Sequence, residues 1–161
     1  MKNILLIILL GFGLNLSAQY GTIDTKAVVK EAKAVQTIQV TFDSLQKELN
    51  VKLNMKVAVY QDRQKTAQAQ KSSGALSPNQ EKALVEELQK LSDEINKFQQ
   101  DEFGKLNEAQ TAKMVTFVEE MKTATKKVAK AAGIEAVFDI NAIVWIDAKD
   151  LTQDLIKELN K

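Results

Sequence analysis

From Lys26 to Lys71 the chain carries neither proline nor glycine, and Phe42, Leu45, Leu49, Leu53, Val57 and Tyr60 recur at spacings of three and four. That period lines them along one face of an α-helix, so one long helix is expected from Lys26 to about Lys71. A second stripe, Leu84, Leu88, Leu91, Ile95 and Phe98, alternates steps of four and three, the spacing of a coiled-coil seam. Between the two, Ser72 to Leu76 is the only turn-like cluster in the middle of the chain. Ser77-Pro78-Asn79-Gln80 then supplies a capping serine, a proline at the first helical position and a glutamine to close a capping box. The second helix is expected to run to Ala132 and to stop at Gly133. Two such helices bury their stripes by folding back on one another. At 1.5 Å per residue, legs of roughly 45 residues make an arm on the order of 65 Å long.

Shorter apolar runs flank this hairpin. Tyr20 to Asp24 is β-branched and aromatic and is followed at once by a helical pattern, with Asp24 or Thr25 as the cap. Ile134 to Ile140 and Ala142 to Ile146 read as two further strands joined by a tight turn at Asn141. Asp147 to Asp150 then cap a last amphipathic helix, Leu151 to Leu159. This order predicts an α+β fold, a long helical coiled-coil hairpin arm on a small β-sheet body, with the first strand beside the last two. A sheet this small has exposed edges, which are expected to meet copies of the chain or the terminal helix. Trp145, Ile143 and Phe138 are expected in the core of the body or at a subunit interface. Met114, Phe117, Val118 and Met121 are expected in the core where the arm enters it.

The first eighteen residues change the picture of where the protein works. Lys2 precedes an apolar run, Ile4 to Leu10 continuing through Phe12 and Leu14, and the segment closes on Leu16-Ser17-Ala18. That is the layout of a cleavable secretory signal peptide, too short and interrupted for a spanning helix. Residues 19–161 are then expected to form one domain, with a body of 19–40 and 115–161 and an arm of 41–114 whose tip lies near 72–78.

Composition narrows the function classes. The chain holds 22 basic and 21 acidic residues, and loss of Lys2 with the signal peptide leaves it neutral. Net charge therefore points to no partner, nucleic acid included. There is no cysteine for disulfide or thiolate chemistry and no histidine for general acid–base work or metal ligation. No cofactor, metal or enzymatic activity is expected.

Two candidate working surfaces remain. With the first seam at Leu45, Leu49 and Leu53, a 100° step per residue puts Val51, Met55 and Ala58 on the opposite face, with Val59 beside them. A two-helix arm leaves that face uncovered, and it reads as an apolar wall for weak, adaptable contacts; Phe103, off the second seam, has the same reading. The alternative is ordinary scattered surface residues. Between Val51 and Lys82 six cations, Lys52, Lys56, Arg63, Lys65, Lys71 and Lys82, face only Asp62 and Glu81. The arm tip is thus basic, suited to steering acidic partners or to transient contact with an anionic membrane surface, if it is more than a solvated face.

The two ends of the processed chain, Gly21-Thr22-Ile23-Asp24-Thr25-Lys26-Ala27-Val28 and Val128 to Gly133 through Ala136-Val137-Phe138-Asp139 to Asp150-Leu151-Thr152, resemble the Skp, or OmpH-like, periplasmic chaperones. The resemblance implies a homotrimer in which the short strands of three chains close a small β-barrel, with three helical arms enclosing a cavity. It implies an ATP-independent holdase that binds unfolded outer-membrane β-barrel proteins in the periplasm and keeps them from aggregating. The alternative function is a structural or adaptor coiled coil that bridges envelope components.

Overall fold

The computed structural model describes residues 19–161. The expected signal peptide, residues 1–18, lies outside the described residues. Strand β1 (Tyr20–Ile23) leads into helix α1 (Thr25–Glu31), helix α2 (Lys33–Ser72) and helix α3 (Pro78–Ala131). Strand β2 (Ala136–Asp139), a 3₁₀ turn (Ile140–Ala142), strand β3 (Lys149–Asp150) and helix α4 (Thr152–Leu159) complete the chain.

Helices α2 and α3 form the expected hairpin, with seams that alternate as the sequence predicts. Phe42 and Leu84 are buried and Leu49, Leu53, Val57, Leu88, Leu91, Ile95 and Phe98 half-buried, although Leu45 stays 40% exposed. A two-helix layer can do no better, because each seam residue meets a partner on one side only. The tip is closed by local chemistry. Gly74, at φ 67°, lets the N–H of Ala75 reach the carbonyl of Gln70 and its own N–H that of Lys71, which satisfies carbonyls that α2 would otherwise leave unpaired. Ser77 and Gln80 then exchange the two bonds of the capping box at the start of α3. At the far end Gly133, at φ 71°, repeats the motif, and Ile134 folds back to donate to Ala129.

The expectation of one helix from Lys26 to Lys71 is corrected at Ala32. This residue is extended (φ −69°, ψ 121°) and separates α1 from α2. It is fully buried, and the break lets α1 lie across the body while α2 follows α3.

The sheet is small and wholly parallel, in the order β2-β1-β3. Tyr20 pairs with Ala136 and Ile23 with Asp139, while Gly21 and Thr22 pair with Lys149 and Asp150. The first strand therefore lies beside both others, as expected. The tight-turn hairpin expected of the last two strands does not form, because β2 and β3 each pair with β1 and not with one another, and the expected strand at 142–146 is absent. Ala142 ends a 3₁₀ turn, and Ile143 to Ile146 cross toward β3 without ladder pairing among the described residues. Lys149 and Asp150 take the third position instead, held by the Leu151 N–H on the Thr22 carbonyl at 2.8 Å. Trp145 consequently lies 83% exposed and Phe138 40%, so within one chain neither is core.

What is core sits where every element meets. Val28 of α1, Phe117 of α3, and Leu151 and Leu155 at α4 are fully buried, with Ile23, Ala124, Ala129, Ile134 and Ile156 around them. Met114 and Met121 pack against this cluster as expected, but Val118 remains 37% exposed. At the β1–α1 junction Asp24 caps α1 by accepting from the N–H groups of Lys26 and Ala27. Asn141 bridges Asp24 and Asp139, donating to each at 2.9 Å, and the Thr25 hydroxyl donates to Asp139 at 2.6 Å. The hydrogen bonds from Thr25 and then Asn141 hold the Asp139 carboxyl down from 3.8 to about 2.

Replacing Leu155 by Ala is expected to destabilise the protein by about 2–5 kcal/mol in urea unfolding, since its fully buried side chain joins α4 to the other elements. The Asp139 network predicts a pH dependence of definite sign. A carboxyl whose pKa falls on folding stabilises the protein fully above its ordinary 3.8 and loses that contribution as pH falls through about 2. Asp139→Asn should lower stability near neutrality and flatten the stability profile between those two values, as read by urea titrations across that range.

Candidate functional surface

The face of α2 opposite the seam is open. Val51, Met55, Ala58 and Val59 are all exposed, Met55 at 66%. A helix advances 100° per residue, so Val40, 69% exposed and eleven residues before Val51, falls within about 20° of it. The stripe therefore begins nearer the body than the sequence reading placed it. Where α2 meets α3 beside the stripe, Met55, Val59, Leu91 and Ile95 line a groove of about 240 Å³, with Lys56 and Glu94 at its rim. Leu91 and Ile95 were legible as seam residues, but their share in the groove depends on how the two legs cross. Phe103 is half-buried, a weaker contributor to any open face. Val85 and Val115 of α3 are also largely exposed and were not anticipated.

The basic tip is more internally engaged than its charge count implies. Arg63 donates to both oxygens of Glu87 across the hairpin, at 2.9 and 2.6 Å. Those bonds raise the Arg63 pKa and hold the Glu87 carboxyl below its ordinary value. Lys56 lies over the Phe98 ring, 5.6 Å from its centre, and packs on the seam. Lys82 approaches Glu86 at 4.0 Å along the same helix. Lys52, Lys65 and Lys71 are exposed and have no ion pair among the described residues. The cation set thus divides into one cross-hairpin lock, one seam contact and a remainder facing solvent.

The body presents a second apolar surface. Ile23, Met121, Ala129, Ile134 and Val137 line a groove of about 400 Å³ edged by Lys122, Lys126 and Lys130. Val144 and Trp145 stand out from the segment between the 3₁₀ turn and β3. Among the described residues no helix is long and apolar enough to cross a membrane.

An apolar-faced helical hairpin on a three-stranded sheet is a distinctive combination, and residues 19–159 match the family of outer membrane proteins (OmpH-like). The chain belongs to that family. It is also 30% identical over 167 residues to an uncharacterized protein of Aquifex aeolicus (strain VF5), an alignment covering 100% of this chain and 98% of the relative. Its fold is that of a Caulobacter crescentus CB15 protein assigned as an OmpH-like outer membrane chaperone, with a TM-score of 0.77 over 88% of this chain and 82% of the other. Sequence identity there is 14%, so the likeness is one of architecture. The OmpH-like arm and sheet are preserved while most of the side chains on them differ.

Exposure of the α2 face has a chemical consequence. Mild peroxide should convert Met55 to its sulfoxide well before Met114 and Met121, which pack against the body core. Peptide mass spectrometry of the intact, folded protein would read the order directly. Protection of Met55 would show that the stripe is covered in solution.

Proposed function

We propose that this OmpH-like chain is an ATP-independent holdase of the periplasm, reached through a cleaved signal peptide, that shelters unfolded outer-membrane β-barrel proteins from aggregation. The observation that carries the reading is the α2 stripe. A run of valines, an alanine and a methionine spans several helical turns on the side of the arm that its own hairpin partner does not cover. Such a surface offers a shallow apolar groove with Lys56 and Glu94 only at its rim. It suits many weak contacts with an extended apolar strand, and flexible methionine suits a changing partner. Catalysis has no part in this reading.

The working form is a homotrimer in which the small sheets of three chains close a barrel. Both outer strands, β2 and β3, have an edge unpaired among the described residues, and such edges invite further pairing. The exposed Val144 and Trp145, and the apolar groove on the body, are the surfaces expected to be covered by neighbouring copies. Three arms hanging from one body would enclose the stripes in a shared cavity. Lys65 and Lys71 toward the tip, and Lys52 halfway along α2, would steer acidic segments of a client or touch an anionic membrane surface, an effect that fades with salt.

The test is dilution of a urea-unfolded outer-membrane barrel into buffer with and without the protein, followed by light scattering. Val51→Ser, Met55→Ser and Val59→Ser combined should weaken holding by on the order of 10- to 100-fold, because partial burial of each side chain is worth about 1 kcal/mol. Helicity and oligomer mass should not change. Unaltered suppression of aggregation would remove the stripe from the mechanism, and a wild-type protein that lets clients precipitate would leave an adaptor role instead.

A further inference from the structure

The break between α1 and α2 leaves backbone groups unpaired on both sides. The last carbonyls of α1 and the first N–H groups of α2 have no partner within their own helices, and a Ser, Thr, Asp or Asn side chain at the junction ordinarily supplies one. Here the junction residue is Ala32, fully buried and without a side chain that can cap. Two side chains supply the missing partners: Gln36 of α2 donates through its Nε2 to the Lys30 carbonyl at 3.2 Å, and Asn160, just beyond α4, does the rest. Asn160 accepts from the Lys33 N–H at 2.8 Å through its Oδ1, and donates through its Nδ2 to the Glu31 carbonyl at 3.2 Å. One side-chain amide thus spans the break, with its acceptor on α2 and its donor on α1.

The same short helix is fixed at its other end and along its flank. Thr152, at the start of α4, accepts from the Asp24 N–H at 2.9 Å, so α4 lies beside α1 in the same direction with both ends bonded to it. Glu158 accepts from Lys127 of α3 and from Lys161. The arm therefore joins the body at two points. One is the unbroken α3, and the other is the root of α2, where Ala32, Ala34 and Val35 pack on the core and Gln36 and Asn160 bond across the break.

We infer that Asn160 is the positioning residue of the arm, closing the second of its two attachments and so fixing the direction in which the hairpin leaves the body. A continuous α3 alone can bend. A second attachment on α2 resists bending, as the second leg of a frame does. Leverage makes the bond consequential: α2 extends roughly 60 Å at 1.5 Å per residue, so a 10° change at its root moves the tip by about 10 Å. The consequence for client holding rests on the function proposed above, whereas the clasp itself does not.

The absence of cysteine allows a clean measurement on the full-length protein. Spin labels on cysteines introduced by Gln61→Cys and Glu135→Cys, in chains diluted with unlabelled ones, report the distance from α2 to the body within one chain. Asn160→Ala should broaden that distribution by at least half and raise amide exchange at Lys33 at least tenfold. Asn160→Asp keeps the acceptor for Lys33 and loses the donor to Glu31, so Lys33 should remain protected to within about threefold while the distribution widens less. An unchanged distribution together with unchanged exchange at Lys33 in Asn160→Ala would overturn the inference. If the alanine variant fails to fold, loss of Lys33 protection in Asn160→Asp overturns it equally, since the acceptor would then count for nothing. A wild-type protein that does not hold clients but shows the clasp-dependent distribution would refute the proposed function and leave the clasp standing.

Discussion

Everything in this fold depends on one small volume of packed side chains around Phe117, Val28, Leu151 and Leu155. A two-helix arm cannot bury its own apolar surface on more than one side, and a three-stranded sheet with strands of two to four residues has little to bury on its own. Among the described residues, only where α1, α3, α4 and β1 converge do large side chains lose nearly all contact with water. That cluster orients the sheet, anchors the base of the hairpin and seats the terminal helix. Farther out, the arm is held by its seam and by discrete contacts such as the Arg63–Glu87 bridge and Lys56 on Phe98. Those contacts fix how one leg lies against the other more than they add stability, because exposed charge pairs contribute little.

The features legible in the sequence were those whose causes are local. The seam, the turn at the tip, the capping box at Ser77 and the stop at Gly133 each follow from residues within a few positions of one another, and each stands where its pattern placed it. The break at Ala32 had no such signal. Alanine is a strong helix former, and the cap that makes the break tolerable arrives from Asn160, distant in sequence. The 142–146 segment failed for a related reason. β-branched and aromatic residues mark a surface that will be covered, not a strand as such, and among the described residues of one chain nothing covers Val144 and Trp145. Lys149 and Asp150 became the third strand with no propensity to suggest it, because Leu151 must enter the core and its N–H lies against the Thr22 carbonyl.

The candidate surface was legible by the same logic and incomplete by the same logic. Helical period alone opposed Val51, Met55, Ala58 and Val59 to the seam, and their exposure agrees with that placement. It could not show that Leu91 and Ile95 of the other leg join Met55 and Val59 in one groove, since this requires the crossing geometry of two helices. Nor could a count of charges show that Arg63 is committed to Glu87 and Lys56 to Phe98. A local excess of cations is an upper limit on the charge available to a partner.

The separation between the core cluster and the stripe bears on the proposed role. An apolar surface that also stabilised the fold could not give up its contacts to a client without unfolding its owner. Here the residues that hold the molecule together lie in the body and along the seam, while Val51, Met55 and Val59 make no part of the buried cluster. Their exposure has a cost in aggregation risk, which a heavily charged chain, 27% Asp, Glu, Lys and Arg, offsets by placing lysines and glutamates on the faces beside them. The stripe is thereby free to associate and release. What remains constrained is its position, and that is decided at the root of the arm, where α4 and Asn160 tie the break in the first helical leg to the body.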